Sequence, residues 1–285
     1  MSNEKKSRAP ESDAPRGFAA LDAAAFPEFA PGSVWLVGAG PGAPGLLTLL
    51  GYHALTQADV IVYDALVNDT ILQWARSGVD VEFAGKRGGK PSSRQTDISL
   101  RLLELAKQNK RVLRLKGGDP LMFGRGGEEC QVLAEAGILF RIVPGITAGA
   151  GALAYAGIPT THRDTNQSVL FLTGHDSSGD VPVGIDWEKV TSASPVIVMY
   201  MAVRNLPKIA KTLLGHGREK NEPVAVISNA SLPEQSVHTT TLAAVCDNPD
   251  ITELPTPALV VVGKVVNLRE TLDWYVAALR ENPLG

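Results

Sequence analysis

The chain has 285 residues, 44% hydrophobic and 20% charged, with a formal net charge of −3. That is enough for two ordinary domains with a sizeable core, and it excludes the global basic field that draws nucleic acid or an acidic membrane surface. The two cysteines, Cys130 and Cys246, lack CxxC spacing, so neither a disulfide framework nor a zinc site organises the fold, and both read as reduced thiols.

No apolar run reaches the roughly 18 residues of a membrane span. The opening MSNEKKSRAPESDAPRG has no apolar signal core. A soluble, cytoplasmic protein with no nucleic-acid or membrane partner is expected.

Residues 1–32 mix charge, Ala and Pro without a strand signal and read as a mobile extension. Order is expected from Ser33, where Val34-Trp35-Leu36-Val37 forms a strand running into glycine. Helical spacing from Leu46 to Gln57 follows, then a β-rich run over Asp59–Asp64. A short helix over Ile71–Arg76 and a strand over Val81–Ala84 come next. Ser99–Lys107 reads as helix, Arg111–Leu115 as strand, Glu128–Ala136 as helix and Leu139–Val143 as strand. This alternation predicts a mainly parallel sheet covered by helices.

A second series begins with a small-residue helix over Ala148–Ala156. Strands are expected at Ser168–Thr173, Pro195–Met201, Pro223–Asn229 and Ala258–Val262, and helices at Leu206–Leu214 and Arg269–Leu279. Residues 174–186 form a polar loop of a length that is more often functional than idle. The fold class is therefore α/β: two consecutive α/β domains, 33–143 and 144–285, with mainly parallel sheets meeting near Pro144-Gly145. Open α/β sheets bind ligands at the carboxyl ends of their strands, which places a cleft between the two.

Four motifs sit at strand ends. Gly38-Ala39-Gly40-Pro41-Gly42-Ala43-Pro44-Gly45 satisfies the dinucleotide pattern G-x-G-x-x-G/A through Gly38, Gly40 and Ala43, and Asp64 lies where a ribose-binding acid would sit. A nicotinamide oxidoreductase is thus a serious rival. Pro41 and Pro44 count against it, since each removes a backbone N–H that a pyrophosphate needs. Gly85-Lys86-Arg87-Gly88-Gly89-Lys90 gathers three cations among glycines, suited to carboxylates or phosphates or else to a solvated loop.

The run Leu115-Lys116-Gly117-Gly118-Asp119-Pro120, with Phe123-Gly124-Arg125-Gly126-Gly127-Glu128-Glu129 after it, allows close backbone approach to a ligand and offers an acid to ribose hydroxyls. A tight Gly-Asp-Pro turn is the plainer reading, and Glu128 and Glu129 suit a helix N-terminus. Val143-Pro144-Gly145-Ile146-Thr147-Ala148-Gly149 enters a helix that Thr147 could cap.

In this order, GAGPGxPGLLTL, DVIVYDALV, AGKRGGK, RLKGGDPLMFGRGGEE and VPGITAG resemble the tetrapyrrole methyltransferase family. The likeness continues through Gly157–Arg163, Leu172–His175 and Val198–Met201 and spans roughly residues 33 to 270. It implies two α/β domains that hold S-adenosylmethionine between them, in a homodimer. By this resemblance the cofactor positions are Pro41, Gly117, Gly118, Asp119, Met122, Thr147, Ala148, Met201 and Ala230.

The resemblance further implies uroporphyrinogen III as substrate, methylated twice to precorrin-2 for sirohaem, cobalamin or haem d1 synthesis, without a metal. Its eight carboxylates fit the loop arginines Arg87, Arg125 and Arg163. The resemblance makes Asp64 the proton acceptor and Lys86 a proton donor, although Asp64 could equally position a pyrrole N–H. A later precorrin methyltransferase shares the implied fold and cofactor, but the wording AGKRGGK and GRGGEE favours the uroporphyrinogen branch.

Overall fold

The computed structural model describes residues 26–84, 95–275 and 279. Its first sheet contains β1 (Val34–Gly38), β2 (Val60–Tyr63), β3 (Asp80–Phe83), β4 (Val112–Lys116) and β5 (Phe140–Val143) in the order β3-β2-β4-β1-β5. Every pairing is parallel. Parallel neighbours need crossovers, and α1 (Leu49–Gln57), α2 (Asp69–Leu72), α3 (Gln95–Lys107) and α4 (Gly126–Glu135) lie between consecutive strands.

Side chains alternate between the two faces of a strand. Val34, Leu36, Val60 and Val62 therefore pack with Leu102 and Leu133 on one face, while Trp35, Val37 and Ile61 pack with Leu55 and Ile71 on the other. The central strands β1 and β4 are buried along their whole length, as coverage on both faces requires.

The second sheet contains β6 (Leu170–Thr173), β7 (Ile197–Tyr200), β8 (Pro223–Ser228), β9 (Ser236–Thr241) and β10 (Ala258–Val262), in the order β6-β7-β10-β8-β9. The helices α5 (Ala148–Tyr155), α6 (Trp187–Ala193), α7 (Leu206–Gly215), α8 (Leu242–Asp247) and α9 (Arg269–Leu272) accompany it. The α/β architecture is as expected, but this sheet corrects the expectation of a mainly parallel arrangement. Only β6 and β7 pair in parallel; β10 is antiparallel to both β7 and β8, and β8 and β9 form an antiparallel pair. The short connection from Ser228 to Ser236 turns the chain straight back and makes β8 and β9 a hairpin, and β10 inserts between β7 and β8 running against both.

Among the described residues, α6, β9 and α8 go beyond the elements that the sequence pattern predicts. The strand β9 is the polar SVHTTT at the sheet edge, and its last residue, Thr241, caps α8 by accepting from the Ala244 N–H at 3.3 Å. The first α-helix begins at Leu49 rather than Leu46, because Thr48 Oγ1 accepts from Gly51 N–H at 3.1 Å and fixes the start there. Packing also begins earlier than Ser33. Phe29 is buried and stacks on Trp35 at 4.6 Å, and Phe26 stacks on His53 at 4.8 Å. At the other end the helix that starts at Arg269 closes at Leu272, and the rest of its expected span lies partly outside the described residues.

Candidate active site

In the first sheet β1 lies between β4 and β5, so the loops leaving these three strands converge at one edge. They touch through glycine. A Cβ on Gly38 would stand 2.6 Å from Gly145 Cα, and one on Gly145 would stand 2.6 Å from Gly38 Cα. Both distances are shorter than real Cβ contacts, and backbone cannot yield as a flexible side chain does. Gly118 sits at φ +65°, where L side chains are strained. It exchanges two backbone hydrogen bonds with Gly40, of 3.2 and 2.7 Å.

A cleft of about 690 Å³ opens at this edge, walled by the first sheet's loops on one side and by Thr147, Ala148, Tyr200, Met201, Leu232 and Pro257 on the other. Its volume falls within the roughly 300–1,000 Å³ of small-molecule sites.

The Gly-Pro loop is bound into the protein. Gly40 donates its N–H to Gly118, Ala39 to the Lys116 carbonyl at 2.7 Å, and Ala43 to Ser231 Oγ at 2.9 Å. The loop ends in a single 3₁₀ turn over Pro44–Leu46, and α1 starts only at Leu49. These N–H groups are spent and no α-helix N-terminus stands at the loop, so the geometry offers no pyrophosphate cradle. The dinucleotide reading of GxGxxA loses its physical basis.

The Gly-Gly-Asp loop combines both of its sequence readings. Asp119 Oδ1 accepts from Leu121 N–H at 2.8 Å and closes the turn, while Oδ2 accepts from Gly145 N–H at 3.1 Å and ties two loops together. The next segment folds tightly over Pro120, whose carbonyl accepts from Gly126 N–H at 3.0 Å and would stand 2.9 Å from a Cβ on Gly124. Phe123 and Arg125, on either side of Gly124, take left-handed φ values of 53° and 58°, and Met201 across the cleft takes 54°. Each such residue stores roughly 1–3 kcal/mol of strain, a cost that clusters at ligand sites.

Thr147 does not cap its helix. Its hydroxyl pairs with Tyr200 Oη at 2.6 Å, which also accepts from Gly149 N–H at 2.7 Å. Burial pushes the Tyr200 hydroxyl above its ordinary range, so it stays a neutral hydrogen-bonding group.

Of the expected cofactor positions, Pro41, Gly117, Gly118, Asp119, Met122, Thr147, Ala148 and Met201 line the cleft. Ala230 does not. It is buried in the core of the second sheet, where its carbonyl would stand 2.7 Å from a Cβ on Gly42. Arg125 lines the rim, with its fork on Glu128 at 2.9 and 2.6 Å. Arg163 is exposed in the turn around residues 160–168 and is not among the lining residues. Lys86 and Arg87 lie outside the described residues. The polar loop 174–186 is pinned by Asn205, which donates to the Gly174 and Gly179 carbonyls at 3.0 Å each, and it does not reach the cleft.

Asp64 stands at the end of β2 on the cleft floor, 28% exposed. Its carboxylate is held by two cations from β4, Arg114 through Nη2 and Lys116 through Nζ at 3.5 Å. Both cations also bind Glu129 Oε1, at 3.1 and 3.2 Å. Glu129 is therefore a fully buried counter-charge, and its place in the first turn of α4 is incidental. The sequence offered one signal for this network: Arg114 and Lys116 interrupt an otherwise apolar buried strand.

Among the described residues no three His, Cys, Asp or Glu side chains gather as a metal site, and no helix is long and apolar enough to cross a membrane. Burial raises both thiols, Cys130 and Cys246, above the usual cysteine range.

Two helix-covered sheets with a strand-end cleft lined by glycines, methionines and the tethered aspartates Asp64 and Asp119 define a small-molecule enzyme of the α/β class. The family model for tetrapyrrole (corrin/porphyrin) methylases matches residues 33–246, and the chain belongs to that family. A uroporphyrinogen-III C-methyltransferase from Sinorhizobium sp is 61% identical over 254 residues, which are 89% of this chain and 91% of that one. A siroheme synthase from Actinobacillus pleuropneumoniae serotype 7 is 48% identical over 246 residues; the match takes 86% of this chain and 49% of that longer protein. The solved uroporphyrin-III C-methyl transferase of Thermus thermophilus, complexed with S-adenyl homocysteine, matches with a TM-score of 0.72 at 37% identity, covering 83% of this chain and 99% of that one.

Proposed function

We propose that the chain is an S-adenosylmethionine-dependent C-methyltransferase that converts uroporphyrinogen III to precorrin-2 by two successive methylations. The observation that carries this reading is the cleft itself, which collects eight of the nine expected cofactor positions from separate loops. The 61% identity to a uroporphyrinogen-III C-methyltransferase supports the substrate.

The residues present suit the cofactor. The Gly118 loop and the start of α5 approach to van der Waals contact, a Cβ on Gly118 standing 3.9 Å from Thr147 Cα and from Ala148 N, and both border the cleft space. Met122, Met201 and Leu66 give that space apolar walls, and a carboxylate such as Asp119 has acceptor sites beyond its two backbone bonds. When bound, S-adenosylmethionine supplies an electrophilic methyl group. The protein aligns the partners and keeps water out, and for an electron-rich pyrrole carbon little more is needed. In this reading Asp64 takes the proton released after methylation and Lys86 donates one. Arg87, Arg125 and Arg163 receive substrate carboxylates, with Arg163 the least supported, because it stands outside the cleft lining.

In this reading the chain divides into domains 33–143 and 144–285, a division that the two separate five-stranded sheets support. The enzyme works as a cytoplasmic homodimer supplying sirohaem synthesis, with cobalamin or haem d1 as other outlets of the same product.

Calorimetry with S-adenosylhomocysteine and with NAD tests the cofactor. One site per chain is expected for S-adenosylhomocysteine, in the roughly micromolar range or tighter; binding of NAD alone would end the proposal. Incubation with uroporphyrinogen III and labelled S-adenosylmethionine should then put two labelled methyl groups on each tetrapyrrole.

Arg125 offers a sharper test of the substrate. Its pair with Glu128 is more than half exposed on both sides, at 56% and 54%, and so contributes little to stability. A substrate carboxylate can replace Glu128 at small cost. Arg125→Ala should raise KM for uroporphyrinogen about tenfold to a hundredfold, the equivalent of one charge-assisted bond of about 1.5–3 kcal/mol, while S-adenosylhomocysteine affinity and Tm stay near wild type. Unchanged KM would make Arg125 a solvated surface residue.

A further inference from the structure

We infer that Glu129 is a positioning residue for the methylation chemistry: it balances Arg114 and Lys116 from beneath the sheet and so sets how firmly they hold the proton-accepting form of Asp64. This rests on the reading of Asp64 as the base.

The four groups are two cations and two carboxylates, so the network is neutral as a whole. Arg114 and Lys116 sit two residues apart on β4 and face the side that α4 covers. They are 1% and 3% exposed, and Glu129 is 0% exposed. Stability does not account for such a cluster, since buried ion pairs can commonly be replaced by apolar residues with no loss. Each cation divides itself between Glu129 Oε1 on one side and an Asp64 oxygen on the other. Glu129 does not line the cleft, so it acts on Asp64 through these two cations rather than by touching the ligand space, and it also lends its charge to Arg125 at the rim. The other charged or titratable groups facing Asp64 among the described residues are Asp69 and Tyr63, which share a smaller adjoining cavity with it, and Asp119 and Arg125 in the main cleft.

The sign follows from charge balance. Neutralising Glu129 leaves an uncompensated cation beside Asp64, and a nearby cation favours the carboxylate over the acid. Glu129→Gln should therefore move the acid limb of the kcat profile to lower pH by about one unit. It should also lower kcat about tenfold, because the base becomes weaker, with little change in KM or in S-adenosylhomocysteine affinity. Glu129→Gln combined with Lys116→Gln removes one charge of each sign, and the limb should return toward its wild-type position. A purely structural role would produce no such return. Lys116→Gln alone should move the limb the other way, which keeps the test open if Glu129→Gln does not fold.

The same order should appear without turnover, in a carbon-13 NMR titration of the Asp64 carboxyl in ligand-free protein, assigned with Asp64→Asn. A limb that persists in Asp64→Asn would overturn the Asp64 reading and this inference with it. A limb that vanishes in Asp64→Asn but stays fixed in the Glu129 and Lys116 variants would overturn this inference alone.

Discussion

Asp64→Asn is expected to lower turnover of uroporphyrinogen III by about 10²–10⁴, the usual cost of losing a general base, with S-adenosylhomocysteine binding nearly unchanged. The substitution keeps the shape and polarity of the side chain and removes its basic lone pair. Asp64 sits at the strand end that faces the cleft, partly open to it and clamped from below by Arg114 and Lys116. A turn-forming role is the competing explanation, and Asn would serve there as well as Asp. The geometry speaks against it: the turn after β2 is closed by Val67 N–H bonding the Asp64 backbone carbonyl at 3.2 Å, while the side chain bonds the two cations. Steady-state rates with purified variant decide the matter, and near-normal turnover would remove Asp64 from the mechanism.

Arg114→Met is expected to have the largest effect on stability. The guanidinium is 1% exposed and joins four partners: Asp64, Glu129 and the Val62 and Leu115 carbonyls at 3.3 and 3.5 Å. Methionine fills part of the space but leaves Glu129 and Lys116 as a buried pair whose geometry was set by the missing cation. Breaking a buried ion pair by removing one partner costs about 3–5 kcal/mol, several times the about 0–1 kcal/mol of an exposed pair such as Arg76–Asp59. Urea unfolding followed by circular dichroism should show the difference as a lower midpoint. A loss below about 1 kcal/mol for Arg114→Met would mean that the network is not held together by this residue.

Much of the fold is legible in the sequence because the first half obeys local rules. Its inner strands are short, mostly apolar runs followed by glycine or a helix signal, so strand and helix alternate clearly, with the edge strand DVEF the weakest of them. The second half breaks this rhythm where a partner far along the chain decides the outcome. SVHTTT offers only the β-branched Val237 and its threonines as a strand signal and no apolar face, because β9 is a polar edge whose order comes from pairing with β8. The place of β10 between β7 and β8 is equally a property of the whole sheet.

At the site, motifs at strand ends found the cleft, since loops leaving neighbouring strands are bound to meet. Arg163 and Ala230 were named by resemblance alone, and their surroundings show what that leaves out: one is on an exposed turn and the other lies under the Gly-Pro loop. The role of Glu129 is hidden in the sequence for the opposite reason. An acid in the first turn of a helix has a sufficient local explanation, and only the depth of α4 against β4 reveals its other partners.

The order of the first sheet has a consequence for synthesis on the ribosome. The earliest strand, β1, is fully buried and lies between the two latest, β4 and β5. When β2 and β3 have been made, β1 still has neither neighbour, and its apolar VWLV stretch presents two open edges. Parallel pairing across so long a stretch of chain is slow, because loop closure must precede the contacts that reward it. An unpaired apolar edge is also a template for association with other chains. The nascent protein therefore passes through a window, closed only when Val143 has emerged, in which its central strand lacks the neighbours that cover it in the folded sheet.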